Sequence, residues 1–323
     1  MANETPDEIE LPSFDELPDA EGGGKTAWHL FGQHDDVGLI NLQTPHRTLA
    51  AARAVRTGKV FSLSPPLDLV DPPLFDRRRP EHHVKRHEIG MDDWLDGFYL
   101  QGSAQWDSLG HIAFRPERYY NGVSGDDIVE GGRNSVLHWG LRGIAGRGVV
   151  LDMTTAHVHD GRPYDPGSRH GFTVAELDRA AEAAGVTIEP GDVLLLHTGW
   201  LRWYQDQPTA TKESFASREH LRAPGLAPSE DMARWLWDHH VCAVAADNPA
   251  VERCPVGDRT ASPYAFLHTQ LIGGFGMALG ELWWLDDLVR DCVDDGVYEV
   301  LLVSAPLPLR GGIGSPANAL AIK

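Results

Sequence analysis

The sequence predicts an α/β fold. Four short, continuous apolar runs (Val149–Met153, Val193–His197, Val241–Ala245 and Val300–Val303) have the composition of strands buried on both faces. Between them lie capped segments with apolar residues at helical spacing. Strands alternating with helices imply a sheet covered by helices. At 323 residues, 42% of them hydrophobic and 23% charged, the chain has the make-up of an ordinary globular protein. No repeat or linker interrupts it after residue 25. One domain is therefore expected over 25–323, preceded by an acidic segment over 1–24.

That first segment carries eight acids and no base, and ends in Gly22, Gly23 and Gly24. Like charges and few apolar groups predict a loose or disordered tail. Thr44 and Pro45 then open a helix, which Gly58 ends. Val60–Leu63 has strand composition, and Pro65 and Pro66 stop it. The stretch from Asp71 to Gly97 is rich in Pro, Arg, His and Asp and is expected as a long loop or lid. Within it Arg77, Arg78 and Arg79, with Lys85 and Arg86, are expected to be solvated, and His82, His83 and His87 to be loop histidines.

After the Val149–Met153 strand, His157 and His159 are candidates for lining a pocket. Thr173 and Glu176 form a capping box for a helix that Gly185 closes. A turn at Pro190 and Gly191 leads into Val193–His197. Ser229 caps the next helix, and its apolar face uses Met232, Trp235, Leu236 and His239. His239 and His240 close that helix, where imidazoles complement the dipole. A last helix is expected over Leu282–Val293.

The net charge of -19 makes nucleic acid and anionic membrane surfaces improbable partners. Cys242, Cys254 and Cys292 form no C-x-x-C pair, so a disulfide framework is not expected and a reducing compartment is. No apolar run approaches the ~20 residues of a spanning helix, and no secretory signal is visible. The expected location is cytoplasmic.

Chemistry concentrates in Phe98–Phe114, where Gln101, Gln105, Asp107 and His111 are spaced Q-x-x-x-Q-x-D-x-x-x-H. On a helix, position 107 lies about 200° round from 105, so the three cannot face one ion. On a strand they share a face, but 101 and 105 stand about 13 Å apart. The segment must therefore bend, which Gly102 and Ala104 permit. Trp106 then points the other way, into the core. Neutral amide oxygens with one carboxylate suit a hard cation, and imidazole ligation would shift the preference toward zinc or manganese. Ser103 lacks a G-x-S-x-G elbow, so a serine nucleophile is not expected.

This stretch resembles the H-x-x-x-H-x-D-x-x-x-H signature of the cyclase or kynurenine-formamidase-like hydrolase family. Glutamines replace the two leading histidines, as in its trans-dienelactone hydrolase branch. Further similar segments occur in order: Asp36–Pro45, Leu195–Trp200, Pro224–Pro228, Ala246–Pro249, His268, Gly280–Leu282, Ala305–Leu307 and Gly314–Pro316. The resemblance implies a swivelling β/β/α fold with a central mixed sheet or barrel, and a homodimer or homotetramer. It implies a divalent ion, Zn2+ or Mn2+, on Gln101, Gln105, Asp107 and His111. His111, His268 and Glu281 are the implied catalytic groups, with His268 and Glu281 completing the site. A second arrangement stays open, with the ion on Asp107, His111, His268 and Glu281 and the glutamines bonding substrate or water. Gly273–Gly276 is expected as the bend that brings His268 to Glu281.

A bound divalent ion lowers the pKa of its water toward ~7 and polarises a carbonyl, and an imidazole can relay the proton. The leading expectation is hydrolysis of a lactone or similar cyclic ester. Hydrolysis of an aryl formamide or cyclic amide, non-hydrolytic metal-assisted cyclisation or dehydration, and a metal-free binding protein are the alternatives. Phe98, Tyr99 and Trp106 would suit a planar substrate, or simple core packing.

Overall fold

The computed structural model describes residues 11–156, 164–258 and 262–323. Its strands in chain order are β1 (Val60–Ser62), β2 (Glu81–Arg86), β3 (Met91–Asp96), β4 (Gln105–Asp107), β5 (Ile144–Asp152), β6 (Gly171–Phe172) and β7 (Val193–His197). They continue with β8 (Gly225–Leu226), β9 (Ala243–Ala246), β10 (Ala278–Glu281), β11 (Glu299–Ser304), β12 (Gly314–Pro316) and β13 (Ala319–Ile322). Among the described residues, nine strands form one mixed sheet in the order β1-β13-β11-β5-β7-β9-β10-β4-β12. The centre, β5-β7-β9-β10, is parallel, and antiparallel strands flank it on both sides. All five residues of β7 and all four of β9 and β10 are buried, as expected of strands covered on both faces. This curled mixed sheet flanked by helices is the α/β class that the sequence predicts.

The caps act where the residues place them. Thr44 Oγ1 accepts from Arg47 N at the start of the Pro45–Ala54 helix. Thr173 and Glu176 cap Val174–Ala184, and Gly185 ends it with φ 66°. Ser229 Oγ accepts from Met232 N at the head of Glu230–Asp238. His239 and His240 follow that helix, with a contact of 2.8 Å between His239 Nδ1 and Trp235 O.

Four expectations are corrected. Residues 11–24 do not hang loose: Phe14 is fully buried, its N–H donates to Asp238 Oδ1, and Trp237 Nε1 donates to Pro12 O. Within Asp71–Gly97, β2 and β3 form an antiparallel hairpin rather than an irregular loop. Polar contacts between its two arms, such as His82 Nε2 with Asp93 Oδ2 (2.8 Å) and His87 Nε2 with Asp92 Oδ2 (3.0 Å), accompany it. The first helix stops at Ala54, since Val55 is extended. The helix expected over Leu282–Val293 runs Asp286–Asp295. Leu282 N and Trp283 N instead donate to Asn248 O and Ala246 O, and Leu282 turns the chain with φ 58°. His157 and His159 lie outside the described residues.

Candidate active site

Strand β4 builds the first half of the site. Gln105 pairs in register with Glu281 of β10, and Asp107 with Leu279, so Gln105, Asp107 and Glu281 share one face. Trp106 takes the other face. It is fully buried against Trp283 (ring centroids 4.8 Å apart) and donates to Ser304 Oγ. Gln101 precedes the strand in a turn closed by Gly102 N donating to Tyr99 O. That bend brings Gln101 Nε2 to 2.6 Å from Asp107 Oδ1 and 2.9 Å from His111 Nδ1. Gly314 of β12 makes room for it, since a Cβ there would lie 2.4 Å from Gln101 Cγ. His111 follows in a turn, with its Nε2 3.9 Å from Asp107 Oδ1.

The second half arrives from β10 and the segment before it. His268 leads into a single π-helical turn, Thr269–Gly274, a form often found at functional sites. That turn and the run into β10 set His268 Nε2 3.2 Å from Glu281 Oε1. Gln105 Nε2 donates to Glu281 Oε2 at 2.7 Å. Thus Gln101, Gln105, Asp107, His111, His268 and Glu281 converge in one place. One ligand atom each from Asp107, His268 and Glu281 lie within 4.8 Å of one another.

These residues fit a divalent ion. The set offers two carboxylates and an imidazole. Gln105 Oε1 and Asp107 Oδ2 are buried with no hydrogen-bond partner among the described residues. Buried polar atoms rarely stay unpaired; an ion among the carboxylates would satisfy Asp107 Oδ2, and Gln105 Oε1 as well once its amide turns over. The glutamine nitrogens face carboxylates as placed. A cation between the groups would favour the opposite orientation of each amide, with its oxygen inward.

Electrostatics mark the same atoms. Burial and the Asp107 charge push the Glu281 carboxyl up to about 7. Burial pulls His268 down, but its bonds to Glu252 and Glu281 outweigh that and raise it to about 10. A divalent cation among these acids would favour their ionised forms.

Two participants escaped the sequence reading. Glu252 is fully buried, lies 2.6 Å from His268 Nδ1, and accepts from Leu267 N and His268 N. A carboxylate on the far nitrogen orients a metal-facing imidazole. Arg77, expected in solvent, is half-buried and donates to Gln101 O, and Asp107 and Glu281 act on its charge.

The Cyclase family model matches residues 62–253. The chain belongs to the Cyclase family. A solved structure described as a novel cyclase is 31% identical, with a TM-score of 0.81 over 92% of this chain and 99% of that one. Isatin hydrolase A from Labrenzia aggregata, bound to benzyl benzoate, is similar in fold at 18% identity (TM-score 0.59, 86% of this chain and 99% of that chain). Isatin hydrolase A from Ralstonia solanacearum is also similar in fold at 19% identity (TM-score 0.56, 86% and 97%). No curated protein matches the chain. In this Cyclase-family chain, the neighbouring strands β4 and β10 carry the signature Asp107 and the distant Glu281 on one face of the sheet.

Proposed function

We propose that the chain is a metal-dependent hydrolase that opens a lactone or similar cyclic ester. The observation that supports this reading is the buried convergence of Asp107, His268 and Glu281 around unpaired oxygens. Asp107, His268 and Glu281 would hold Zn2+ or Mn2+, with Gln101, Gln105 and His111 beside them; mixed O and N donors suit either ion. Once bound, the ion supplies a Lewis acid and an acidified water near neutral pH.

The chain's own residues do the rest. His111 is a quarter exposed where His268 is buried, so it is the imidazole better placed to meet substrate. It takes a proton from the attacking water and returns it to the leaving oxygen. Glu252 keeps His268 oriented. The Arg77 guanidinium beside the Gln101 carbonyl suits the negative charge that develops on the substrate carbonyl oxygen. A cavity of about 210 Å³ lies beside the turn at Tyr99 and Gly102; Leu67, Val70, Phe98 and Tyr99 line it together with Asp68, Asp71, Arg78 and Arg79, which suits a small substrate with both apolar and polar parts.

The test is activity on a lactone panel after chelation, then after return of Mn2+ or Zn2+. Activity should vanish and reappear; turnover by fully metal-free protein contradicts the reading. Opening of a cyclic amide is the second reading, favoured by the isatin hydrolases that share the fold. Matched lactone and lactam substrates separate the two by their relative kcat/KM.

A further inference from the structure

A second group of metal-ligating side chains lies on the opposite face of the sheet. Asp152 and His197 stand in register at the carboxyl ends of β5 and β7. Leu196 pairs with Ala246, so His197 and Asp247 follow side by side one position on. Gly280 pairs with Ala245, which gives Glu281 the face of Ala246 and leaves the other face to the Asp152, His197 and Asp247 row. Asp286, the first residue of the Asp286–Asp295 helix, completes the group.

The charges do not balance. Among the described residues no Lys or Arg pairs with Asp152, Asp247 or Asp286, and the basic group that each of them meets is His197. Three carboxylates therefore share one imidazole at a site where Asp247 is fully buried. His197 shows what is missing. Its Nδ1 is 3.0 Å from Asp152 Oδ1. Its buried Nε2 has no hydrogen-bond partner among the described residues and stands 3.9 Å from both Asp247 Oδ2 and Asp286 Oδ1. Asp286 Oδ2 is also unpaired among the described residues.

These separations are too long for hydrogen bonds and close to those around a metal. Three donors about 2.1 Å from an ion in a trigonal set stand about 3.6 Å apart. Asp247 is already held for such a role, accepting from Thr198 N, Thr198 Oγ1 and Gly199 N. The arrangement repeats that of His268, whose Nδ1 meets Glu252 while Nε2 faces carboxylate. A carboxylate on one nitrogen and an open second nitrogen is the usual form of a ligating histidine.

We propose that His197, Asp247 and Asp286 bind a second divalent cation of the Zn2+ or Mn2+ class, with Asp152 orienting His197. This cation would tie the ends of β7 and β9 to the Asp286–Asp295 helix, away from the reacting groups.

Full-length protein, stripped with chelator and titrated with Mn2+, gives the test through calorimetric stoichiometry and bound-metal analysis. Two ions per chain are expected. Asp286→Asn should lose one and lower the melting temperature in Mn2+, whereas Asp107→Asn should lose the other. Asp286 is partly exposed at a helix start, so its variant should keep the far-ultraviolet spectrum of the parent. Anomalous scattering from Mn2+-soaked crystals of the unaltered protein supplies a check free of any variant. A peak bounded by His197, Asp247 and Asp286 supports the site. Density for water alone there, or equal ion counts in Asp286→Asn and parent, overturns it. Loss of an ion from Asp107→Asn alone leaves the active-site reading standing and this one refuted.

Discussion

Replacing Glu252 by glutamine should weaken metal binding at Asp107, His268 and Glu281 while leaving the fold intact. Glu252 accepts three N–H groups: Leu267 N at 3.0 Å on Oε2, His268 N at 3.2 Å on Oε1, and the Nδ1 side of His268 at 2.6 Å on Oε1. Glutamine has one acceptor oxygen and one NH2. If the oxygen faces His268, the NH2 opposes Leu267 N–H, and an unsatisfied buried donor costs about 1–3 kcal/mol. The His268 bond also loses its ionic partner, and such bonds are roughly twice as strong as neutral ones. Outer-shell partners of metal ligands are worth about 10–100-fold in affinity or activity, or about 1.4–2.7 kcal/mol at 1.36 kcal/mol per decade. Calorimetric titration of chelated protein with Mn2+ should show the dissociation constant rising by that factor. Saturating Mn2+ should recover part of the lost kcat/KM. An affinity within about twofold of the parent, with unchanged circular dichroism, would refute the orienting role.

Other residues give independent expectations. Gly314→Ala places a Cβ 2.4 Å from Gln101 Cγ, so Gln101 must leave Asp107 and His111; kcat/KM should fall about tenfold or more, the usual scale for displaced positioning groups, and a parental kcat/KM would show that Gln101 is dispensable. Arg77→Met removes a cation from the field of Asp107 and Glu281, so metal should bind at least as tightly while kcat/KM drops; weaker metal binding would contradict the placement. Metal-free protein should lose stability as pH rises. Glu281 has its pKa raised from 4.5 to about 7, so its contribution is lost through that interval. His268 is raised from 6.5 to about 10, so its contribution is complete below 6.5 and lost as pH passes 10. Melting with chelator at about pH 6 and about pH 9 should give the lower temperature at the higher pH, and the reverse order would refute the sign. Trp106→Phe keeps a ring in the core but removes the donation from Trp106 Nε1 to Ser304 Oγ, which still donates to Ala317 O; denaturant unfolding should show a loss of at least about 0.5–1.5 kcal/mol, and no loss would remove that bond from the account.

Local signals explain what the sequence disclosed. The Thr173 and Glu176 capping box, the Ser229 cap and the apolar runs at Val149, Val193 and Val300 act within a few residues of themselves, and the structure follows them. Strand alternation likewise sends Trp106 inward and Gln105 with Asp107 to one face. What escaped depends on tertiary placement. Glu252 is a lone acid sixteen positions before His268, and only the folded chain brings the two together. Arg77 opens a charge run that looks solvated, but its guanidinium stacks over Phe75 and reaches Gln101 O. The hairpin of β2 and β3 hides because its registered pairs mix polar with apolar residues, as in His82 with Leu95, His83 with Trp94 and Val84 with Asp93, so no apolar alternation shows in the sequence. Residues 11–24 look like a tail by charge, yet the single aromatic Phe14 anchors them beside Phe275 and Tyr264.

The most direct measurement is anomalous diffraction at the manganese edge from catalytically active, Mn2+-loaded crystals. A peak within coordinating distance of Asp107, His268 and Glu281 is the expected result, with Gln105 Oε1 turned toward it. Active crystals with no peak among those residues would contradict a metal-dependent hydrolase built on this site.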